Sequence, residues 1–258
     1  MQQHYHKHLV LQQFIQLQSR FMKKTLLIVI LLIVTQSVSA QLFSKERIKN
    51  NENVDKNRLS WGYFLGFNSY DFNFDYEEDL DDILVDKSIG FSVGLLGNLR
   101  INEYLDLRLE PCLYISKRTL NYDESYFNGM DFSSSDLMRV VRSTYIHIPL
   151  LLKVSTKRIN NIKPFIVGGF STALNLSSNE ENPEDNSAGQ FRLKKNMFFY
   201  EVGFGIDLYL FWFKFTPSIR GVFAMNDELV RDLDPNSPWT SNITSMKTRA
   251  VFVNFTFQ

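Results

Sequence analysis

Cys112 is the single cysteine among 258 residues, which excludes an intramolecular disulfide framework. Histidine is almost as scarce, with 4 copies. His4, His6 and His8 crowd the N-terminal stretch, so His147 alone serves the rest of the chain. A metal site there would rest on carboxylates, without the usual His or Cys clustering, and no cofactor is expected. An excess of one charge is missing too: 28 basic residues face 28 acidic ones. That removes the basic surplus or stripe of a nucleic-acid binder. The longest apolar run, Thr25 to Val34, is shorter than the roughly 20 residues a helix needs to cross a bilayer. A mean hydropathy of -0.17 excludes a helical membrane protein with several spans. What the chain does have is aromatic residues, 14% in all with 23 phenylalanines, a usage that suits strands and interfaces.

The short apolar run has a meaning of its own. Met22-Lys23-Lys24 precedes it, and Thr35-Gln36-Ser37-Val38-Ser39-Ala40 follows. A charged start, a short apolar centre and a small-residue end predict a secretory signal peptide over 22–40, cleaved after Ala40. A membrane anchor would need a longer run. Residues 1–21 show no organised pattern and are explained by a start codon assigned too early. Removing residues 1–40 takes away Lys7, Arg20, Lys23 and Lys24 and no acid, so the exported chain is mildly acidic. Residues 41–58 are polar and read as a periplasmic lead-in to a single domain, 59–258.

Within that domain the clearest pattern runs from Met197 to Phe223. Phe198, Tyr200, Val202, Phe204, Ile206 and Leu208 alternate with Glu201, Gly203, Gly205 and Asp207; after a break Phe211, Phe213, Phe215 and Ile219 alternate with Trp212, Lys214, Thr216, Ser218 and Arg220. A period of two means strand. Eight such runs are expected, six of them beginning at Leu59, Ser88, Tyr104, Ser143, Pro164 and Met246, and two forming the pair just described. Pro111, Pro149 and Pro217 fall inside runs and predict pairing edges or bulges. The connections alternate in length. Short ones (98–103, 155–163, 209–210) follow even-numbered strands; long polar ones (68–87, 117–142, 177–195, 224–245) follow odd-numbered strands. An even strand count with this rhythm, and a final strand ending in alternating aromatics from Val251 to Phe257, predict an all-β, eight-stranded antiparallel transmembrane up-and-down barrel in the outer membrane. Both termini are then periplasmic. A soluble lipocalin-like barrel also has eight strands but gives no reason for the loop rhythm.

With the apolar face turned to lipid, the inward set includes Arg108, Glu110, His147, Lys153, Glu201, Asp207, Lys214 and Arg220. A two-residue turn at Tyr209-Leu210 would pair Asp207 with Trp212 and set Lys214 diagonal to Asp207, and Arg220 diagonal to Glu201. Opposite charges at such positions stabilise a sheet. Eight strands enclose a space that side chains fill, so these groups read as a structural plug rather than a channel, with glycines at 90, 94, 203 and 205 making room for long side chains. Catalysis is not expected. His147 is the one candidate base, and Ser143, four positions along the same strand, is too far to be its nucleophile. The acidic run from Asp71 to Asp86 matches no EF-hand loop and reads as a solvated surface segment. After Phe67 the alternation changes phase, so a bulge is expected near Asn68-Ser69. Tyr70, Phe72, Phe74 and Tyr76 would lie beyond it as an exposed aromatic patch, either a partner surface or an interfacial girdle.

Three segments add a resemblance. Leu59-Ser60-Trp61-Gly62-Tyr63-Phe64-Leu65-Gly66-Phe67 and its continuation to Tyr76, Asn98-Leu99-Arg100-Ile101-Asn102-Glu103-Tyr104 through Pro111, and Tyr145-Ile146-His147-Ile148-Pro149 through Lys153 resemble the PorT family. The first is the most specific; the other two recur among Bacteroidetes outer-membrane barrels. The resemblance covers nearly the whole exported chain. It implies an outer-membrane barrel needed by the type IX secretion system, which exports proteases, adhesins and gliding-motility components, and it supplies no catalytic residues. Expected partners are outer-membrane lipid, the outer-membrane assembly machinery and other type IX components. A small passive porin or a ligand-binding barrel is the alternative function.

Overall fold

The computed structural model describes residues 49–127, 129–182 and 191–258. The upstream residues 1–21, the expected signal segment 22–40 and the first part of the lead-in, 41–48, lie outside the described residues. Ten strands form: β1 (Leu59–Tyr76), β2 (Leu84–Lys87), β3 (Ile89–Arg100), β4 (Leu105–Leu109), β5 (Cys112–Asn121), β6 (Met138–Ser155), β7 (Ile162–Asn175), β8 (Asn196–Tyr209), β9 (Lys214–Ala224) and β10 (Ile243–Phe257). All pairings are antiparallel, and β1 pairs with both β3 and β10, so the sheet closes. β4 and β5 are one run interrupted at Glu110-Pro111, and both lie between β3 and β6. β2 prolongs β3 and pairs with β5. The ring therefore has eight staves, the predicted up-and-down barrel.

The prolines follow expectation only in part. Pro111 falls at an edge of pairing, the break between β4 and β5, but none of the three is a bulge, because register is unbroken across them: Leu109 faces Leu150 and Cys112 faces His147, while Pro217 faces Phe255 in a continuous ladder. Each of the first two loses a donor but keeps its carbonyl bond. Pro149 O accepts from Glu110 N at 3.2 Å, and Pro111 O accepts from Leu95 N at 2.9 Å. One lost hydrogen bond costs about 1 kcal/mol, which a closed barrel tolerates because the neighbouring rungs hold the register.

The bulge is displaced as well. β1 runs through Asn68 and Ser69 in regular register with β10, from Tyr63 opposite Phe257 to Asp75 opposite Ser245. Extra residues lie at two other places: on β10 at Thr244, where Asp75 faces Ser245 but Tyr76 faces Ile243, and at the β2–β3 junction, where Lys87 faces Arg118 but Phe91 faces Ile115, so residues 88–90 oppose 116–117. The second insertion reverses the phase of β2. On β1 the even-numbered residues point inward throughout, so Tyr70 and Phe72 are buried and Phe74 and Tyr76 partly so. The expected exposed aromatic patch does not exist.

The apparent change of phase is a change of polarity. Spanning a bilayer takes about 9–11 residues per strand, whereas β1 and β6 have 18 each. In the lower part Trp61, Leu95, Phe204 and Phe170 face outward and Gly66, Asn68, Ser92 and Asn254 face inward. Above it the outer face of β1 carries Asp71, Asn73 and Asp75, and the interior becomes apolar: Phe72, Leu120, Val141, Ile243 and Met246 pack with Tyr126, Phe127, Phe191, Leu193 and Leu229. A side chain outside the bilayer obeys the soluble rule, apolar inside, because its outer neighbour is water rather than lipid. Much of what reads as long loop is thus projecting strand. In this upper part Asp71 Oδ2 meets Lys87 Nζ at 2.9 Å and Arg249 Nη2 at 2.8 Å. Burial alone would raise the Asp71 carboxyl, but the hydrogen bonds and charges of Lys87 and Arg249 outweigh it and hold it below its ordinary value. Burial pushes the Tyr76 hydroxyl up to about 12; that oxygen accepts from Ile83 N at 3.0 Å.

Candidate functional site

The lumen is filled in three tiers, each built from inward positions of several strands. Nearest the short turns, Lys153 Nζ on β6 reaches over β7 to Asp207 Oδ2 on β8 at 2.6 Å. Thr216 Oγ1 on β9 donates to Asp207 Oδ1 at 2.8 Å. The Phe165 ring lies 4.1 Å from the Lys153 ammonium, so the cation has both an anion and an aromatic face.

The middle tier is a chain of charges across the barrel. Arg108 Nη2 touches Glu110 Oε1 at 2.7 Å, Glu110 Oε2 touches Arg220 Nη1 at 2.9 Å, Arg220 approaches Glu201 Oε2 at 3.3 Å, and His147 Nε2 lies 2.9 Å from Glu201 Oε1. Glu110 and Arg220 belong to opposite staves of the ring, so their contact crosses the lumen. All five side chains are almost wholly buried. The N–H bonds of Arg220 are not aimed at either carboxylate, which makes these charge contacts rather than aligned hydrogen bonds. A buried carboxylate must be compensated, and Glu110, Glu201 and Asp207 each have two partners. Gly203 faces Arg220 across the β8–β9 ladder; a Cβ there would lie 2.5 Å from Arg220 Cγ. Aromatic rings pack beside the charges: Tyr114 stacks on Phe252 at 4.3 Å, and His147 on Phe199 at 5.4 Å.

The upper tier centres on Arg118 of β5, fully buried. It donates to Thr248 Oγ1 at 3.0 Å, Ser143 Oγ at 2.9 Å and Tyr145 OH at 3.3 Å, with its guanidinium 3.8 Å from the Phe72 ring. Tyr145 OH donates to Glu228 Oε1 at 2.7 Å, and Thr248 Oγ1 donates to Glu228 Oε2. Glu228 comes from the segment after β9 and is itself fully buried.

Both mouths are covered. At the short-turn end a 3₁₀ turn, Val54–Lys56, lies beneath the barrel. Tyr209 OH donates to Asp55 Oδ1 at 3.0 Å, Arg100 Nη1 lies 3.4 Å from the same oxygen, and Asn161 Oδ1 accepts from Asn50 N at 2.9 Å.

The structure thus brings Arg108, Glu110, His147, Glu201 and Arg220 into one cluster and Lys153 with Asp207 into a second. Lys214 is buried opposite Tyr209. The hairpin differs from the predicted two-residue turn. Leu210 to Phe213 form the turn, Leu208 faces Phe215, and Trp212 is exposed at its tip. Lys214 and Arg220 nonetheless stay diagonal to Asp207 and Glu201, because the shift of four residues carries each base from one side of its acid to the other. Ser143 accepts from Arg118 and does not face His147 as a nucleophile. Among the described residues no cluster of three His, Cys, Asp or Glu is arranged to hold a metal. Sequence reading missed Arg118 and Glu228. Arg118 could have been found by continuing the alternation of Cys112, Tyr114 and Ser116; Glu228 carries no such signal, since a loop delivers it.

A family model described as outer membrane protein beta-barrel domain matches residues 39–230; β10, which closes the ring, lies beyond that match. No curated protein matches. Among solved structures, the outer membrane protein OprG from Pseudomonas aeruginosa is similar at 14% identity and a TM-score of 0.40, over 77% of this chain and 93% of that one. Neisserial surface protein A is similar at 10% identity and 0.39, over 78% and 98%. AlkL, solved in lipid bilayers, is similar at 14% identity and 0.36, over 83% and 92%.

Proposed function

The chain belongs to the outer membrane protein beta-barrel domain family, and on that premise we propose that it is a non-enzymatic outer-membrane component of the type IX protein secretion machinery, acting through contacts rather than conduction. The observation that carries the non-conducting part is the filled lumen. Charges cross it from wall to wall, rings pack beside them, and both mouths are covered. A passive porin needs a continuous aqueous path, and eight strands leave little room for one. The resemblance of Leu59–Tyr76 and the two later segments to the PorT family supports the secretion role. In this reading residues 22–40 are cleaved, the short turns and both termini face the periplasm, and the projecting strands face outward toward secretion partners.

Deleting the gene and comparing the secreted proteins tests the role: type IX cargo should vanish from the medium, and undiminished cargo would refute it. Conductance across planar bilayers tests the plug. Purified protein should pass no sustained current; a robust current favours the porin.

A further inference from the structure

Two segments bonded to each other cover the upper mouth. β9 ends at Ala224, so the wall beside β10 is incomplete above that point. Residues 227–229 fill the gap. Glu228 N donates to Met246 O of β10 at 2.8 Å, and Glu228 O accepts from Lys194 N at 2.9 Å. Leu229 and Leu193 form an antiparallel bridge. Arg192 Nη2 donates to Arg231 O at 2.7 Å. The piece meets the barrel through apolar packing of Phe191, Leu193 and Leu229, through the edge of β10, where Asp227 Oδ1 also accepts from Met246 N at 2.9 Å, and through one buried carboxylate, Glu228, which accepts from Tyr145 of β6 and Thr248 of β10. Arg118 holds those same two hydroxyls from the other side.

We propose that residues 191–194 and 227–231 form a lid over the barrel mouth, latched by the Glu228 carboxylate between Tyr145 and Thr248, and that releasing this one group lifts the lid while the wall below stays closed. The carboxylate suits a latch because both hydroxyls donate to it and none of its bonds belongs to the strand ladder. The wall does not depend on it: β5 to β8 pair continuously below the lid. The lid stands whether or not the barrel serves secretion, since its evidence is confined to the mouth.

Hydrogen exchange on the full chain in lipid nanodiscs tests it, comparing wild type with Glu228→Gln and the milder Tyr145→Phe. Gln replaces one acceptor oxygen with a donor that faces a donor. Amides of 191–194 and 227–231 should exchange together, about tenfold faster in Glu228→Gln, with a smaller rise in Tyr145→Phe. Amides of the middle rungs, around His147 and Gly203, should keep the wild-type rate. Paired Leu193→Cys and Leu229→Cys substitutions, oxidised, tie the two segments into one piece without restoring the latch, so in the Glu228→Gln background both segments should still exchange together and fast. Unchanged lid exchange, acceleration spread through the barrel strands, or segments that accelerate separately would each overturn the lid.

Discussion

Arg220→Met tests the middle tier most directly. Arg220 is 3% exposed and contacts Glu110 at 2.9 Å and Glu201 at 3.3 Å. At an effective dielectric of about 20 each contact carries a gross attraction of about 5–6 kcal/mol. Most of that offsets the desolvation of three buried ions, so the gross figure is not the cost of mutation. Removing one partner of a buried pair typically costs about 3–5 kcal/mol, because the remaining charge is left under-compensated. Here Glu110 retains Arg108 at 2.7 Å and Glu201 retains His147 at 2.9 Å, which puts the loss toward the lower end, about 3 kcal/mol. Methionine keeps most of the volume, so little of the effect comes from a cavity. Urea unfolding in lipid vesicles, followed by tryptophan fluorescence and by heat-modified gel migration, measures it. Adding Glu201→Gln should recover about 1–2 kcal/mol, since neutralising the acid removes the charge that the first substitution exposed. A single-mutant loss under about 1 kcal/mol, or a double mutant equal to the sum of the two, would show that the tier is not an interdependent charge network.

Gly203→Val should lower stability by about 1–3 kcal/mol through overpacking, since a Cβ there meets Arg220 Cγ at 2.5 Å; the same urea titration reads it. Phe72→Ala should cost about 3–5 kcal/mol, because Phe72 is 3% exposed in the upper core; an exposed aromatic would lose almost nothing, so thermal unfolding separates the two. Asp71 gives a pH signature. Its folded-state pKa is depressed, so its stabilisation is present above the unfolded carboxyl value of about 4 and disappears as pH falls through the lower folded value. Lys87 and Arg249 are about half exposed, so the effect should stay below about 1 kcal/mol. Wild type should exceed Asp71→Asn in stability at pH 7, with the difference shrinking as pH falls below about 4; a difference that does not change with pH would assign the effect to packing.

The barrel was readable because its cause is local. Alternation along one strand reports which side meets lipid, and lengths between strands report which end each connection occupies. Period alone puts Phe204 and Val202 on one face and Glu201 and Asp207 on the other; the loop rhythm and the aromatic final strand turn the first face to lipid. Extending the same rule to Arg118 would have found the upper tier as well. The errors arose where the solvent changes along one strand. Tyr70, Phe72, Phe74 and Tyr76 continue the inward phase of Asn68, but above the bilayer that side turns apolar, and the change looked like a bulge. The insertions at the β2–β3 junction and at Thr244 left no mark, because a short polar segment has no alternation to interrupt.

By itself, the sequence determined an outward apolar face, an inward charged one and an even ring of strands, since these follow from the chemistry of neighbouring residues. Which charges meet was decided only in three dimensions. Glu110 and Arg220 stand on opposite walls, Lys153 reaches past β7 to Asp207, and Glu228 enters from a loop. No spacing along the chain encodes a contact whose distance is set by the curvature of a closed sheet.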